Sequence, residues 1–191
     1  MNDTKNILIV GVGGQGTLLA SKLMGKVYAE QGFDVKVSEV HGMSQRGGSV
    51  VTYVRYGTKV WSSLIDKGEA DVILSFEQLE AARWLEYLKP DGKIITNTKK
   101  IDPMPVILGA ASYPDGVIEK LRALVPDVTA VDADALAEKA GSVRATNLVL
   151  LGVFAKSSGI DKAVWLDAIR STVPPKTVET NEKAFELGWQ A

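Results

Sequence analysis

The sequence has no cysteine among its 191 residues, which removes several chemistries at once. Disulfides, a thiol nucleophile, cysteine-ligated zinc and any iron–sulfur cluster held by this chain's own thiolates are excluded. The single histidine, His41, excludes clustered histidine metal sites, and no metal site is expected. Charge of one sign is also lacking: 22 Lys and Arg stand against 23 Asp and Glu, a net charge of −1. No basic field therefore points to nucleic acid or to a membrane surface. No apolar run approaches a membrane span, and the chain enters an apolar segment without the successive regions of a secretory leader. The expectation is a cytoplasmic protein. Hydrophobic residues at 46% and charged residues at 24% are ordinary for a globular chain, and the length fits one domain over residues 1–191.

What is present begins with Asn6-Ile-Leu-Ile-Val-Gly-Val-Gly-Gly-Gln-Gly16. Ile7 to Val10 is a short, β-branched apolar run, the pattern of a strand buried on both faces. Leu18, Leu19, Leu23, Met24, Val27 and Tyr28 then recur at three- and four-residue spacing, which describes an amphipathic helix on a sheet. The unit is strand, glycine turn, helix, and its helix N-terminus suits an anionic group. Gly11, Gly13 and Gly16 match the dinucleotide fingerprint, with Gly14 and Gln15 in the same turn as candidate cofactor contacts. Glu39, near the end of a second strand at Val35 to Val40, stands where a ribose-binding acid would sit. The same glycines also serve tight turns and close helix–strand packing without any ligand, so both readings stand.

Further along, Val35 and Val37 alternate inward against Lys36 and Ser38, and Ser49 to Tyr56 reads as a strand. Gly57-Thr58-Lys59 reads as a turn into a short return strand at Val60-Trp61, an inserted antiparallel hairpin. Asp71 to Phe76 (strand), Glu77 to Leu88 (helix) and Lys93 to Asn97 (strand, after Pro90-Asp91-Gly92) make a βαβ unit. Residues 98–114 read as a loop with a short strand at Val106 to Leu108. A helix at Val117 to Val125, with Ile118, Leu121 and Leu124 on one face, is followed by a strand at Val128 to Val131 and a helix at Asp134 to Ala140. Asn147 to Ser157 is apolar nearly all round, hence buried in this core or in a partner. Helices at Asp161 to Ser171 and Val178 to Leu187, the last ending at Gly188, complete the chain. Trp61, Trp84, Trp165 and Trp189 are scattered, as core or interface residues are, and do not form a base-stacking platform. The fold class is α/β: a Rossmann-like three-layer domain, mostly parallel, with one antiparallel excursion.

The second polar loop, His41-Gly-Met-Ser-Gln-Arg-Gly-Gly48, groups His41, Ser44, Gln45 and Arg46 with Gly47 and Gly48 just past a strand's carboxyl end. Ligands collect outside those ends in open α/β sheets, so two glycine-rich loops there can wall one crevice. Arg46 can grip a carboxylate or phosphate in bidentate fashion or bridge to a carboxylate of another chain, and His41 can exchange a proton or act as a hydrogen-bonding anchor. These six residues are a candidate substrate or subunit-interface loop. No residue is assigned as catalytic, because spatial adjacency is not readable from sequence.

Gly11-Val-Gly-Gly-Gln-Gly16, Glu39-Val-His-Gly-Met-Ser-Gln-Arg-Gly-Gly-Ser49 and the strand Val50 to Arg55 together resemble the gamma-type subunit of 2-oxoacid:ferredoxin oxidoreductases. Within that family the wording of the second loop is most like the indolepyruvate oxidoreductase beta subunit. The resemblance extends through Ala70 to Glu77, Asn97-Thr98 and Asn147 to Gly152. It implies one component of a complex that decarboxylates a 2-oxoacid oxidatively, an aryl pyruvate by the local wording, to its acyl-CoA with reduction of ferredoxin. Such complexes use thiamine diphosphate with Mg, coenzyme A and iron–sulfur clusters. This chain has neither the cysteines for clusters nor the Gly-Asp-Gly…Asn signature of thiamine enzymes, so those cofactors are expected mainly in partner subunits. Ferredoxin would be the acceptor of the complex, and the isolated chain could pair with itself through a surface that otherwise meets a partner. Two other readings remain: a stand-alone NAD(P)- or FAD-binding oxidoreductase using Gly11 to Gly16 and Glu39, and a purely structural subunit with an empty glycine turn.

Overall fold

Strand β1 (Lys5–Val12) buries alternate side chains on opposite faces of the sheet, Ile7 and Ile9 on one, Leu8 and Val10 on the other. That demand for cover on both sides sets the architecture. The computed structural model describes residues 3–39 and 47–191. The remaining strands are β2 (Asp34–Glu39), β3 (Ser49–Gly57), β4 (Ala70–Ser75), β5 (Leu88–Asn97) and β6 (Asp127–Val131). They form one six-stranded sheet in the order β2-β3-β1-β4-β5-β6. From β1 outward through β4, β5 and β6 the pairing is parallel. On the other side β3 runs antiparallel to both β1 and β2. The antiparallel excursion is therefore real, but it is β3 itself, wedged between two strands that point the same way.

The helices divide unequally over the two faces. Helices α1 (Thr17–Glu30), α5 (Ala133–Ala140), α6 (Thr146–Lys156), α7 (Lys162–Thr172) and α8 (Val178–Gln190) share a core with Ile7, Ile9, Val54, Leu74 and Ile95. Helices α2 (Gln78–Arg83) and α4 (Val117–Leu124) cover Leu8, Val10, Ile73 and Ile94, helped by Ile65 from the 58–69 loop. The three-layer α/β class expected from the pattern is the observed one. Nine of the eleven residues of α6 are buried, so the helix that reads as apolar all round is covered by this chain's own core. Gly152 on α6 faces α8, and Gly188 on α8 faces Val149 of α6; a Cβ on either would overlap a backbone carbonyl oxygen of the other helix. No helix of the described residues is long and apolar enough to cross a membrane.

Several local expectations are corrected. No return strand forms at Val60-Trp61: the Val60 N–H donates to Asp34 Oδ2 at 2.9 Å, the Thr58 N–H to Asp3 Oδ2 at 3.2 Å, and Trp61 is 88% exposed. Side-chain carboxylates satisfy backbone donors that a ladder would otherwise take. The Lys36 ammonium beside Asp34, together with that Val60 N–H, holds the Asp34 carboxyl down at about 2. Val106 to Leu108 is not a strand, because α3 (Met104–Ile107) forms there with Pro103 and Pro105 at its start, a position that needs no N–H donor. The helix expected to reach Leu88 stops at Arg83 and tightens into a 3-10 turn at Leu85–Tyr87, and β5 already begins at Leu88. Val37 lies on the outermost strand and is exposed, as is Leu124 beyond the buried Leu121. The last helix runs past Gly188 to Gln190, since that glycine answers helix packing and not termination. Asp161 lies just outside α7 and caps it, accepting from the Ala163 N–H at 2.8 Å.

Candidate functional site

At the carboxyl end of β1 the chain turns through Gly13 to Gly16 into α1. Gly14 and Gly16 have φ of 99° and 85°, which L side chains rarely adopt. Gly11 and Gly16 are also held by space: a Cβ would lie 2.8 Å from Gln15 Oε1 at the first and 2.7 Å from Asn147 Nδ2 at the second. Gln15 braces the turn from inside. Its Oε1 accepts from the Val12 N–H at 2.7 Å and its Nε2 donates to the Phe76 carbonyl at 2.9 Å. Asn147 at the start of α6 adds a bond from Nδ2 to the Gly16 carbonyl at 3.3 Å. Helix α1 has no side-chain cap and no acidic residue in its first turn. Its positive end therefore stays uncompensated within the turn, a setting that favours an anionic or strongly accepting group.

The second loop meets the first directly. The Gly13 N–H donates to the Gly48 carbonyl at 2.9 Å, just before Ser49 enters β3 opposite Val12. Of the loop residues singled out by sequence, Gly47 and Gly48 are described, Gly47 with a φ of 89°; His41, Ser44, Gln45 and Arg46 lie outside the described residues. Between the glycine turn, the start of α1 and the first residues of β3 opens a cleft of about 300 Å³. It is walled by the glycine backbone of the turn, Thr17, Leu18, Val50, Val51 and Thr52, with 44% of Leu18 exposed at its mouth. Among its described residues the wall carries no charged side chain. It can hold an apolar or thread-like group against backbone N–H donors, and on these residues alone it offers neither acid nor base.

Helix α2 is tied to the start of β3, and the carboxylates at its N-terminal end escaped the sequence reading. Glu77 caps α2, accepting from the Glu80 N–H at 2.9 Å, and its other oxygen accepts from the Ile101 N–H at 3.3 Å and from the Tyr113 hydroxyl. Glu80 accepts a short hydrogen bond from Ser49 Oγ, the first residue of β3, and lies 3.5 Å from Arg83 Nε. Both carboxylates are nearly inaccessible. Burial pushes the Glu80 carboxyl up, against the lowering effects of Ser49 and Arg83. Burial, then the contact with Glu77, pushes the Tyr113 phenol up as well. The signal in the sequence was Glu77-Gln-Leu-Glu80 directly after an apolar strand, the spacing of a capping pair.

The dinucleotide pattern fares differently. In that fold the strand carrying the ribose acid lies beside the first; here β3 separates them, leaving β2 about 9–10 Å from β1 by two strand spacings. Glu39 instead accepts from Ser21 Oγ of α1 at 2.8 Å. Among the described residues no group of three or more His, Asp or Glu is placed to hold a metal ion. Without cysteine anywhere in the chain, the donor set does not fit an iron–sulfur cluster.

The sequence of the pyruvate ferredoxin/flavodoxin oxidoreductase family matches residues 6–191. The chain belongs to that family. Indolepyruvate oxidoreductase subunit IorB of Thermococcus kodakarensis is 44% identical over 193 residues, covering 97% of this chain and 95% of that protein. The IorB subunit of Pyrococcus horikoshii is 45% identical over the same coverage. The crystal structure of the keto/oxoacid ferredoxin oxidoreductase gamma subunit from Geobacter sulfurreducens superposes with a TM-score of 0.71, covering 97% of this chain and 96% of that one. At 24% identity that likeness speaks to the fold alone. It places the family's α/β subunit fold on this chain.

Proposed function

We propose that this chain is the cluster-free, gamma-type subunit of a 2-oxoacid:ferredoxin oxidoreductase that acts on an aryl pyruvate of the indolepyruvate kind. The reading treats residues 1–191 as one domain. The observation that carries it is relatedness along nearly the whole length to IorB subunits at 44% and 45% identity. In the complex the oxoacid loses carbon dioxide, the acyl group passes to coenzyme A and the electrons pass to ferredoxin. Thiamine diphosphate and the clusters belong to partner chains, because this sequence has no cysteine and no Gly-Asp-Gly…Asn signature.

This chain's contribution is a wall. The cleft between the glycine turn and β3 offers an apolar face and the N-terminus of α1, which no side chain caps, to the substrate or to coenzyme A, with Gly13, Gly14 and Gly16 supplying backbone. The second loop, with His41, Ser44, Gln45 and Arg46, completes that wall or meets the partner subunit. Its closing end is tied to the glycine turn by the Gly13–Gly48 bond and to α2 by Ser49–Glu80. Nothing in the strand order favours a free-standing dinucleotide enzyme.

The test is recovery of the tagged chain from its own cell under mild conditions, followed by identification of co-purifying proteins and assay of iron and thiamine diphosphate. A larger, cysteine-rich partner carrying both cofactors and active on indolepyruvate with coenzyme A and ferredoxin is expected. A solitary chain that gains several degrees of thermal stability with NAD(P) or FAD would reverse the assignment.

A further inference from the structure

We propose that the cleft between the α5–α6 junction and the start of α8 binds a phosphate group. The cleft encloses about 380 Å³ and is lined by Ser142, Arg144, Asn147, Thr172, Lys176 and Thr180, among others. Among its described lining residues there is no aspartate or glutamate. Four further clefts formed by described residues differ. The one beside the glycine turn has no charged wall. In the others a carboxylate accompanies the cations: Asp134 with Lys99, Glu39 with Lys22, and Asp71 with Lys5 and Lys93. Lys99 is closed off by Asp134 at 2.5 Å, and Lys89 and Lys5 approach Asp71 at 2.7 and 3.7 Å. Among these clefts, this one is lined by two cations with no carboxylate among its described lining residues, and neither Arg144 nor Lys176 forms an ion pair with a described residue.

The rest of the wall is of one kind. The Thr172 and Thr180 hydroxyls make no hydrogen bond to a described residue, so they are free to donate. The frame around them is fixed: Thr177 Oγ1 donates to the Pro174 carbonyl at 2.8 Å, Asn181 Nδ2 to the Thr177 carbonyl at 2.8 Å, and the Arg144 N–H to Ser142 Oγ at 3.3 Å. A guanidinium from the turn before α6, an ammonium from the turn before α8, and hydroxyls from the end of α7 and the start of α8 match a tetrahedral dianion, whose oxygens accept from several directions. A flat carboxylate would leave some of those donors unused. Arg144 also lines the cleft beside Gly14 to Gly16, and Asn147 bonds the Gly16 carbonyl. A ligand held here is therefore one residue layer from the glycine turn. The proposal does not depend on the family's reaction.

The full-length chain is titrated by ¹H–¹⁵N NMR at constant ionic strength with inorganic phosphate, glycerol 3-phosphate and acetate, alongside R144Q and K176Q. Both side chains are exposed and unpaired, so the variants are expected to fold with unchanged melting temperature. Saturable shifts confined to residues 142–147 and 172–181 are expected with the phosphates, weakened about tenfold or more in each variant. Tighter binding of glycerol 3-phosphate assigns the site to a phosphorylated metabolite, and equal binding assigns it to the free ion. Linear shifts, equal saturation by acetate, or affinity unchanged in both variants would overturn the proposal.

Discussion

Replacing Gln15 by alanine removes both arms of the brace inside the glycine turn. The Val12 N–H loses its acceptor and the buried Phe76 carbonyl loses a donor. Each orphaned group costs about 1 kcal/mol at a site that is only partly buried, roughly 2 kcal/mol together. In a chain of this size that lowers the melting temperature by about 4–8 °C. The glutamate variant sharpens the test. Its carboxyl can still accept from Val12, but an ionised oxygen would face the Phe76 carbonyl, so the folded-state pKa must lie above that of the unfolded chain. The stabilising contribution is then complete below the unfolded pKa and lost as pH rises through the folded one. Q15E is therefore expected to melt near wild type at about pH 4 and like Q15A, or lower, at about pH 8, a crossover that circular dichroism melts across pH would reveal. If Q15A melts within about 1 °C of wild type while altering a Michaelis constant, Gln15 contacts a ligand and the brace reading is wrong.

Other expectations follow from neighbouring contacts. Burial raises the Glu80 carboxyl in the fold, so this group's own contribution to stability is present below its unfolded pKa and lost as pH rises through its folded one. Glu80→Gln keeps an acceptor for Ser49 and should melt higher at neutral pH, by on the order of 1 kcal/mol, with the gap closing in acid; a pH-independent difference would refute the assignment. Gly188→Ala forces a methyl onto the Val149 carbonyl and should cost about 3 kcal/mol by urea denaturation, whereas a silent substitution would mean that α6 and α8 separate freely. Arg46→Ala in the assembled enzyme should lower turnover or raise the Michaelis constant for one substrate, and wild-type kinetics with every substrate would remove Arg46 from the site.

The sequence made the first unit legible because its signals are local. β-Branched residues at 7–10, glycines at 11 to 16 and a three-to-four spacing from Leu18 each act within a few residues of themselves. Burial of α6 was readable for the same reason. The position of β3 was not: the alternation from Ser49 to Tyr56 suits a hairpin or an inserted strand equally, and only pairing with distant β1 and β2 distinguishes them. The false strand at Val60-Trp61 has a similar origin, since the acceptors that displace it are Asp34 and Asp3, 26 and 55 residues away in sequence. Gly188 reads as a helix stop locally and becomes a packing contact only when α6 is beside it. Glu77 and Glu80 look like ordinary helix charges until Tyr113, Ile101 and Ser49 close over them.

The central assignment is tested most directly by reconstitution. Indolepyruvate-dependent reduction of ferredoxin, with coenzyme A present, is measured for the cluster-bearing partner alone and after adding this chain at increasing ratio. The account predicts negligible rate without the chain, recovery that saturates at a fixed stoichiometry, and acyl-CoA formed in step with ferredoxin reduction. Full activity of the partner alone, or no recovery with a chain that is folded and bound, would contradict it.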